Sequence, residues 1–367
     1  MGNCVAVAMS GGVDSSVAAA LLKEKGYQVI GVTMKTWAGE AIHGERAHHG
    51  CYGPGEEADI EDAREVARIL GIPFYIFDIR REYKAEVVDY FCQEYLSGKT
   101  PNPCVRCNRK VKFGALIKKV ESSGIEFDHF ATGHYARVEY NRSRHRYLLK
   151  KAKDIMKDQT YFLFSLSQGQ LGRCLFPLGN YTKEEVRRIA SDFGLGVDNK
   201  PESQNFIAGG YSHLLGAAPP GPILNKHGKV LGEHRGIPFY TIGQRKGLGI
   251  SAGEPLYVTG IDRKKNAIVV GTKEEVYGDE LIASELNWIA MEGLRQPIEV
   301  KAKIRYLHKE AEAVITPLDE GKVYVKFGEP QMAIAPGQAV VFYQGGEVLG
   351  GGVIESAMQD SPAANLY

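Results

Sequence analysis

Two short stretches combine residue types and spacings that could do chemistry. In the first, Ser10-Gly11-Gly12-Val13-Asp14-Ser15 follows the apolar run Val5 to Ala8 and precedes Ser16 to Lys25, where alanines and leucines fall at helical spacing. Glycines let the backbone turn tightly and aim amide N–H groups at one spot, and the following helix adds the positive end of its dipole. Such a loop is an anion site suited to phosphates. A G-x-x-x-x-G-K-[ST] loop would carry a Lys before its Ser or Thr, and that Lys is missing. Asp14 stands at the helix start instead, where it can hold Mg²⁺ or cap the helix. The plainer alternative is a Gly-Gly turn with an Asp cap. In the second stretch, Gly98 to Asn108, Cys104 and Cys107 sit three apart in what reads as a Pro- and Asn-rich turn, so both thiols can meet one ligand. Arg106, Arg109, Lys110 and Lys112 are expected to lower a thiol pKa by favouring thiolate. A zinc knuckle is the alternative, but one C-x-x-C is half of a four-ligand site and no second follows.

The elements that must position these residues can be read from the hydrophobic pattern. Strand, loop, helix and strand run from Val5 to Met34. The alternation continues through a helix over Asp59 to Leu70, a strand over Pro73 to Phe77, helices over Tyr83 to Tyr95 and Phe113 to Ser122, and a strand over His129 to Thr132. Alternating strands and helices predict an α/β fold with a doubly wound parallel sheet, whose ligands sit beyond the carboxyl ends of the strands. After about residue 205 short β-rich runs take over: Leu256 to Ile261, Ala267 to Val270, Glu299 to Arg305, Ala311 to Thr316, Val323 to Phe327 and Ala339 to Tyr343. They predict two small β-barrel-like units. The expected division is an α/β domain carrying the Gly-rich loop over 1–208, a central β-rich domain over 209–277 and a C-terminal barrel over 278–367.

The 367 residues and 44% hydrophobic content suit two or three domains with real cores. No run approaches the roughly 18 to 20 apolar residues of a membrane helix, and no leader pattern opens the chain, so no membrane partner and a cytoplasmic location are expected. Six irregularly placed cysteines read as reduced thiols. Cys4, Cys92 and Cys174 lie in apolar surroundings and read as small core residues. Net charge is only +1, but Cys104 to Lys119 holds six Lys or Arg and no acid, and Tyr140 to Phe162 holds seven against two Asp, interleaved with aromatics. Such stretches can grip phosphates and stack bases, or simply be solvated faces.

Ala8 to Ser16 resembles the loop of the ATP-pyrophosphatase superfamily, which implies transfer of AMP to an acceptor oxygen with loss of pyrophosphate. Further motifs narrow the resemblance. They are Gly31 to Lys35, Thr100 to Asn108 with Lys112-Phe113, Ala131 to Tyr135, Lys157 to Leu163, Thr241 to Gly249 and Pro336-Gly337-Gln338. In that order they are similar to the bacterial-type tRNA-specific 2-thiouridylases, the MnmA family, over essentially the whole chain. The resemblance implies adenylation of a wobble uridine at O2 and replacement of that oxygen by sulfur, with ATP and Mg²⁺ as cofactors and tRNA as substrate. It implies that Ala8, Met9, Ser10, Gly11, Gly12, Val13, Asp14, Ser15, Met34 and Gly133 bind ATP. It places Asn102, Pro103 and Cys104 against the target base and makes Cys107 the sulfur-bearing nucleophile. His134, Lys157, Asp158, Gln159, Arg305, Tyr306 and Gln338 would touch tRNA. Plainer readings stand beside these: Gly133 and His134 as a strand end, Met34 as core, Arg305 and Tyr306 as a barrel-strand pair, Gly243 to Gly249 as a structural hairpin. Two rival functions are another adenylating tRNA ligase, such as a lysidine synthetase, and an RNA-binding protein with a dead nucleotide loop.

The chain departs from the pattern at its thiols. Many family members carry Asp where Cys104 stands, and a second catalytic cysteine after a segment like Pro201-Glu202-Ser203-Gln204. Here Asn205-Phe206-Ile207 follows, and no cysteine occurs after Cys174. A replacement must come from Cys104 or from Cys51, in His48-His49-Gly50-Cys51-Tyr52. Cys51, Cys104 and Cys107 could hold a [4Fe–4S] cluster with one iron open for the sulfur. The alternative is a two-cysteine persulfide exchange, closed as a disulfide when sulfur leaves. Either route needs a desulfurase or relay protein as donor.

Overall fold

The computed structural model describes residues 3–39, 51–200, 206–207 and 211–358. His48, His49 and Gly50, and the segment Pro201 to Asn205, lie outside them. Strands β1 (Cys4–Ala8), β2 (Gln28–Lys35), β3 (Phe74–Asp78) and β4 (His129–Thr132) are parallel. After the hairpin β5 (Ala136–Asn141) and β6 (Arg146–Lys151), the short β7 (Cys174–Leu175) completes a five-stranded sheet in the order β3-β2-β1-β4-β7. Val5, Ala6 and Val7 are fully buried. Their unbroken apolar run reflects a strand covered on both faces. One face packs against α1 (Val13–Glu24), α2 (Glu56–Leu70) and the helix Lys183–Asp192. The other packs against helical runs through Arg80–Leu96 and Pro103–Ser122. Strand order reverses between β1 and β4, so the segments after these two strands diverge and leave a crevice.

The cysteine stretch differs from the turn expected of it. Pro103–Arg106 is helical and continues through the wider, π-type turns of Cys107–Leu116 into Ile117–Ser122. Asn102 caps this run, its side-chain oxygen accepting from Val105 N at 3.2 Å, and Pro103 takes the first position, where its missing N–H costs nothing. The cysteines therefore sit on the first turns of a helical run, Cys104 half-buried and Cys107 buried. Neighbouring Pro and Asn look like a turn in sequence; here they are a helix-starting signal.

The remaining strands form two sheets. Strands β8 (Gly221–Asn225), β9 (Val230–His234), β10 (Tyr257–Asp262) and β11 (Ala267–Gly271) make a four-stranded sheet in the order β10-β11-β8-β9. Strands β12 (Tyr277–Trp288), β13 (Ile298–Lys303), β14 (Ala311–Pro317), β15 (Val323–Met332), β16 (Ala339–Gln344) and β17 (Glu347–Met358) run β12-β15-β14-β13-β16-β17, and β12 pairs with β17 to close a six-stranded barrel. The β5–β6 hairpin extends this barrel sheet, with Lys150 opposite Glu347. The basic stretch Tyr140 to Phe162 thus includes a hairpin docked on a strand some 200 residues away.

The barrel also braces the cysteine helix. Thr100 N donates to Pro336 O at 2.8 Å, and the Gln338 amide donates to Thr100 O at 3.0 Å and Pro101 O at 3.2 Å, just ahead of the Asn102 cap. Gly337 adopts φ +91°, and a Cβ there would lie 3.0 Å from Lys99 Cβ and from Thr100 N and O. Gly337→Ala is therefore expected to cost about 1–3 kcal/mol through backbone strain and crowding. A denaturation midpoint equal to wild type would contradict this.

Candidate active site

The nucleotide loop is built from backbone constraint. Ala8 ends β1, and buried Met9 continues its line by donating to Val32 O at 2.8 Å. Gly11 has φ +72°, and a Cβ would fall 2.1 Å from Asp59 O, so only glycine fits. Gly12 is the N-cap of α1, and buried Val13 anchors the first turn. The Ser15 hydroxyl accepts from Ser10 N at 3.0 Å and lies 3.2 Å from Ser10 Oγ, while Ser16 Oγ donates to Gly12 O at 2.9 Å. Gly133, just past β4, approaches so closely that a Cβ would lie 2.6 Å from Asp14 C and Ser15 N. Met34 is half-buried near the end of β2, packed against the core shared with the cysteine helix.

Asp14 is not a helix cap. Its Oδ1 accepts from Tyr135 OH at 2.8 Å and from Lys183 Nζ at 2.7 Å, and α1 has no side-chain cap. Lys183 is only 8% exposed. Lys200 Nζ reaches Gly11 O and Asp59 Oδ1, each at 3.1 Å, and also pairs with Asp62. These two ammonium groups bring to the loop the cationic charge that its own sequence lacks. Sequence reading missed both because they lie 169 and 189 residues from their partners in the loop. No local motif marks them.

His134 joins the nucleotide loop to the thiols. Its Nδ1 is 2.7 Å from Thr132 Oγ1, and its ring packs 6.2 Å from both Phe113 and Phe176. Burial, reinforced by the nearby Lys112 charge, holds its pKa well below the usual histidine range. The unfolded chain therefore binds the proton more readily than the folded one. Its share of stability is complete above a pH of about 6.5 and is lost as pH falls toward the lowered folded value. Between pH 7 and 5 wild type should lose more thermal stability than His134→Gln. Parallel melting-temperature curves would contradict this.

Cys107 is buried, Cys104 half-buried and Cys51 exposed. Tyr52, next to Cys51, pairs with Ile207 in a parallel bridge and stacks on Tyr83 at 5.4 Å between ring centroids. Cys51 is thereby held near Ile207. The expected lowering of thiol pKa does not occur. Burial, then the charges of Cys51 and Cys107, push Cys104 up to about 12. Burial pushes Cys107 up to about 11, with Lys112 opposing and Cys51 adding to the rise. Of the four basic residues invoked, only Lys112 acts on both thiols. Arg106 turns to Glu86 at 2.9 Å and lies 4.5 Å from the Tyr90 ring, and Arg109 and Lys110 are exposed. Burial lowers the Lys112 pKa, but the charges of Cys107, Cys51 and Cys104 outweigh it and the net shift is upward. The three thiols thus share one ammonium. Among the described residues no three His, Cys, Asp or Glu side chains are arranged to hold a single metal ion. Cys174 is buried, and half-buried Cys92 donates to Leu214 O at 3.5 Å.

Of the residues linked to tRNA by resemblance, Lys157, Asp158, Gln159, Arg305 and Tyr306 fall near the junction between the hairpin, the helix Thr160–Leu163 and the barrel. Asp158 is buried, accepting from Ala152 N at 2.9 Å and Thr160 Oγ1 at 2.6 Å. It shapes the turn that presents half-buried Lys157 and Gln159. Gln159 Oε1 accepts from Tyr135 N at 2.9 Å. Arg305 donates to Ile242 O at 3.1 Å and Ala333 O at 2.9 Å, which ties the Thr241 to Gly249 turn to the barrel. Tyr306 packs 4.5 Å from Phe162. The Asn108 amide donates to Phe162 O at 3.0 Å, linking this junction to Cys107.

Residues 3–208 match the family described as the tRNA methyl transferase HUP domain, 211–272 the tRNA methyl transferase PRC-barrel domain and 278–354 the aminomethyltransferase beta-barrel domain. The chain is 51% identical over 361 residues to tRNA-specific 2-thiouridylase MnmA 2 of Caldanaerobacter subterraneus subsp. tengcongensis, covering 96% of this chain and 98% of the relative. It is 50% identical over 361 residues to MnmA 1 of Thermoanaerobacter pseudethanolicus, again covering 96% and 98%. It is 49% identical over 359 residues to MnmA of Halothermothrix orenii, with the same coverage. With such identity sustained along nearly the full length of each relative, the chain belongs to the tRNA-specific 2-thiouridylase (MnmA) family.

Proposed function

We propose that this chain uses ATP to replace O2 of the wobble uridine of tRNA with sulfur. One observation carries the reading: Gly133 touches the nucleotide loop, and the next residue, His134, lies within the electrostatic reach of Lys112, around which the thiols gather. Adenylation and sulfur attack can therefore meet on one uracil ring. In the first step O2 attacks the α-phosphorus and pyrophosphate leaves. In the second, sulfur adds at C2 and AMP departs with the former O2. Ala8 to Ser15, Met34 and Gly133 bind ATP, Lys183 and Lys200 favour its phosphates, and Asp14 would hold Mg²⁺, an ion that favours one carboxylate plus phosphate oxygens. Asn102, Pro103 and Cys104 lie against the base, and Cys107 delivers sulfur.

Cys51, Cys104 and Cys107 form the sulfur-handling set. Three soft donors around one ammonium, with no cysteine after Cys174, are the donor types that a [4Fe–4S] cluster with one open iron would use, and a two-thiol exchange would draw on the same residues. When bound, such a cluster would supply a site for a terminal sulfur. The protein side of the step is to hold the three thiolates, screen their charge with Lys112 and exclude water with Tyr52 and Tyr83. A cysteine desulfurase or a relay protein supplies the sulfur as a persulfide, and two electrons from a thiol pair or an external thiol reductant bring it to the sulfide level at which it joins C2. Two measurements test the proposal. Mass spectrometry of tRNA from a deletion strain is expected to show loss of 2-thiouridine; retained 2-thiouridine would overturn the substrate. Anaerobically purified protein is expected to contain iron and sulfide; a colourless, iron-free enzyme that still thiolates would overturn the cluster in favour of persulfide exchange.

A further inference from the structure

The three most exposed large apolar side chains among the described residues are Leu307 at 89%, Met156 at 86% and Ile155 at 64%. They occupy the tips of two turns that are stitched together from beneath. Lys151 Nζ pairs with Glu310, and the hydroxyls of Thr160 and Tyr343 lie 3.4 Å apart. Tyr161 OH donates to Ile304 O at 3.2 Å, and Phe162 packs on Tyr306. Both turns are internally fixed. Asp154 accepts from Met156 N at 3.1 Å and from Lys183 N at 3.0 Å, which ties the first tip to the helix whose lysine holds Asp14. His308 N donates to Arg305 O at 3.1 Å beneath Leu307, and Arg305 is itself anchored on Ile242 and Ala333. Singly exposed apolar residues are ordinary, but three large ones on adjoining turns are the kind of exposure that marks an interaction site.

We infer that Met156 and Leu307, with Ile155 beside them, form an apolar platform for unpaired bases of the tRNA anticodon loop. The inference rests on the proposed tRNA substrate and adds residues to which the family resemblance gives no role. Charge selects the occupant. Lys157, Lys303 and Lys309 lie on or beside the two turns, where Asp154 and Asp158 accept from N–H and O–H groups and Glu310 is paired with Lys151. Apolar tips beside lysines match bases flanked by phosphates. Area argues against a second protein chain, because three side chains fall far short of the roughly 800 Å² per partner of a stable interface. A base lodged here leaves its neighbour unstacked, as a base entering a closed site requires.

The test compares wild type with the double variant Met156→Ser, Leu307→Ser, binding a substrate tRNA lacking the thio group across a salt series. Affinity is expected to fall about tenfold, in line with the loss of stacking on one base. The slope of log affinity against log salt should not change, because no phosphate contact is removed. Lys309→Ala should reduce that slope by about one. Equal affinity in the double variant would overturn the inference. So would a change in the oligomeric state of the double variant with tRNA affinity intact, which would identify a second copy as the occupant. A wild-type protein that binds no tRNA would overturn the proposed function itself, and the platform with it.

Discussion

Cys107→Ala is expected to abolish sulfur transfer, by on the order of a thousandfold or more as when a covalent nucleophile is lost elsewhere, while tRNA-dependent exchange between ATP and pyrophosphate persists. The two readouts separate because the nucleotide loop makes none of its bonds to Cys107. Its braces are Ser10, Ser15, Tyr135, Lys183 and Lys200. Alanine nearly fills the cysteine volume in a helix whose start is set by Asn102 and Pro103, so the fold should be kept. Thiolation at the wild-type rate would remove Cys107 from the mechanism. Loss of exchange together with thiolation would mean that the thiol site is needed for adenylation too. The result also separates the rivals, since an amine-transferring ligase needs no thiol and a dead nucleotide loop gives no exchange.

Asp14→Asn should give the reverse pattern, with exchange and thiolation both falling about a hundredfold or more and the thiols unaffected. Asn keeps the shape and can still accept from Tyr135, but it cannot neutralise Lys183 or share a divalent cation. Lys183 is 8% exposed, so the variant takes a carboxylate away from a nearly buried ammonium. A fully buried broken pair costs about 3–5 kcal/mol, and roughly half that is expected here because the Asp14 side chain is 32% exposed. Lys183→Met separates stability from chemistry. It removes the ammonium charge and should recover much of the folding loss when combined with Asp14→Asn, without recovering exchange. Wild-type exchange in Asp14→Asn would refute the role of its charge.

Much of the adenylating half was legible because its signals are local. The run Val5 to Ala8, the glycines at 11 and 12 and the helical spacing after Ser16 lie within about twenty residues, and β1, the loop and α1 follow in that order. The strands at His129–Thr132 and Ala339–Gln344 were equally plain. The Pro-Asn stretch misled because the same residues serve turns and helix starts, and only the bond from Val105 N to Asn102 separates them. The basic run near Cys107 misled in another way. Charge along the chain says nothing of direction, and Arg106 pairs with Glu86 while Arg109 and Lys110 are exposed.

The sequence by itself determined the nucleotide loop, the α/β order of the first half, the β character of the second and the absence of the usual relay cysteine. Each follows from neighbours in the chain, where glycine freedom, periodicity and residue type act directly. Only the tertiary structure decided that Lys183 and Lys200 serve the loop, that the β5–β6 hairpin belongs to the barrel sheet, that Gln338 braces Thr100 and Pro101, and that Cys51 is held beside Ile207 within reach of Lys112. Those pairings join residues up to 238 positions apart. Their partners are chosen by packing around shared cores, which no local pattern records.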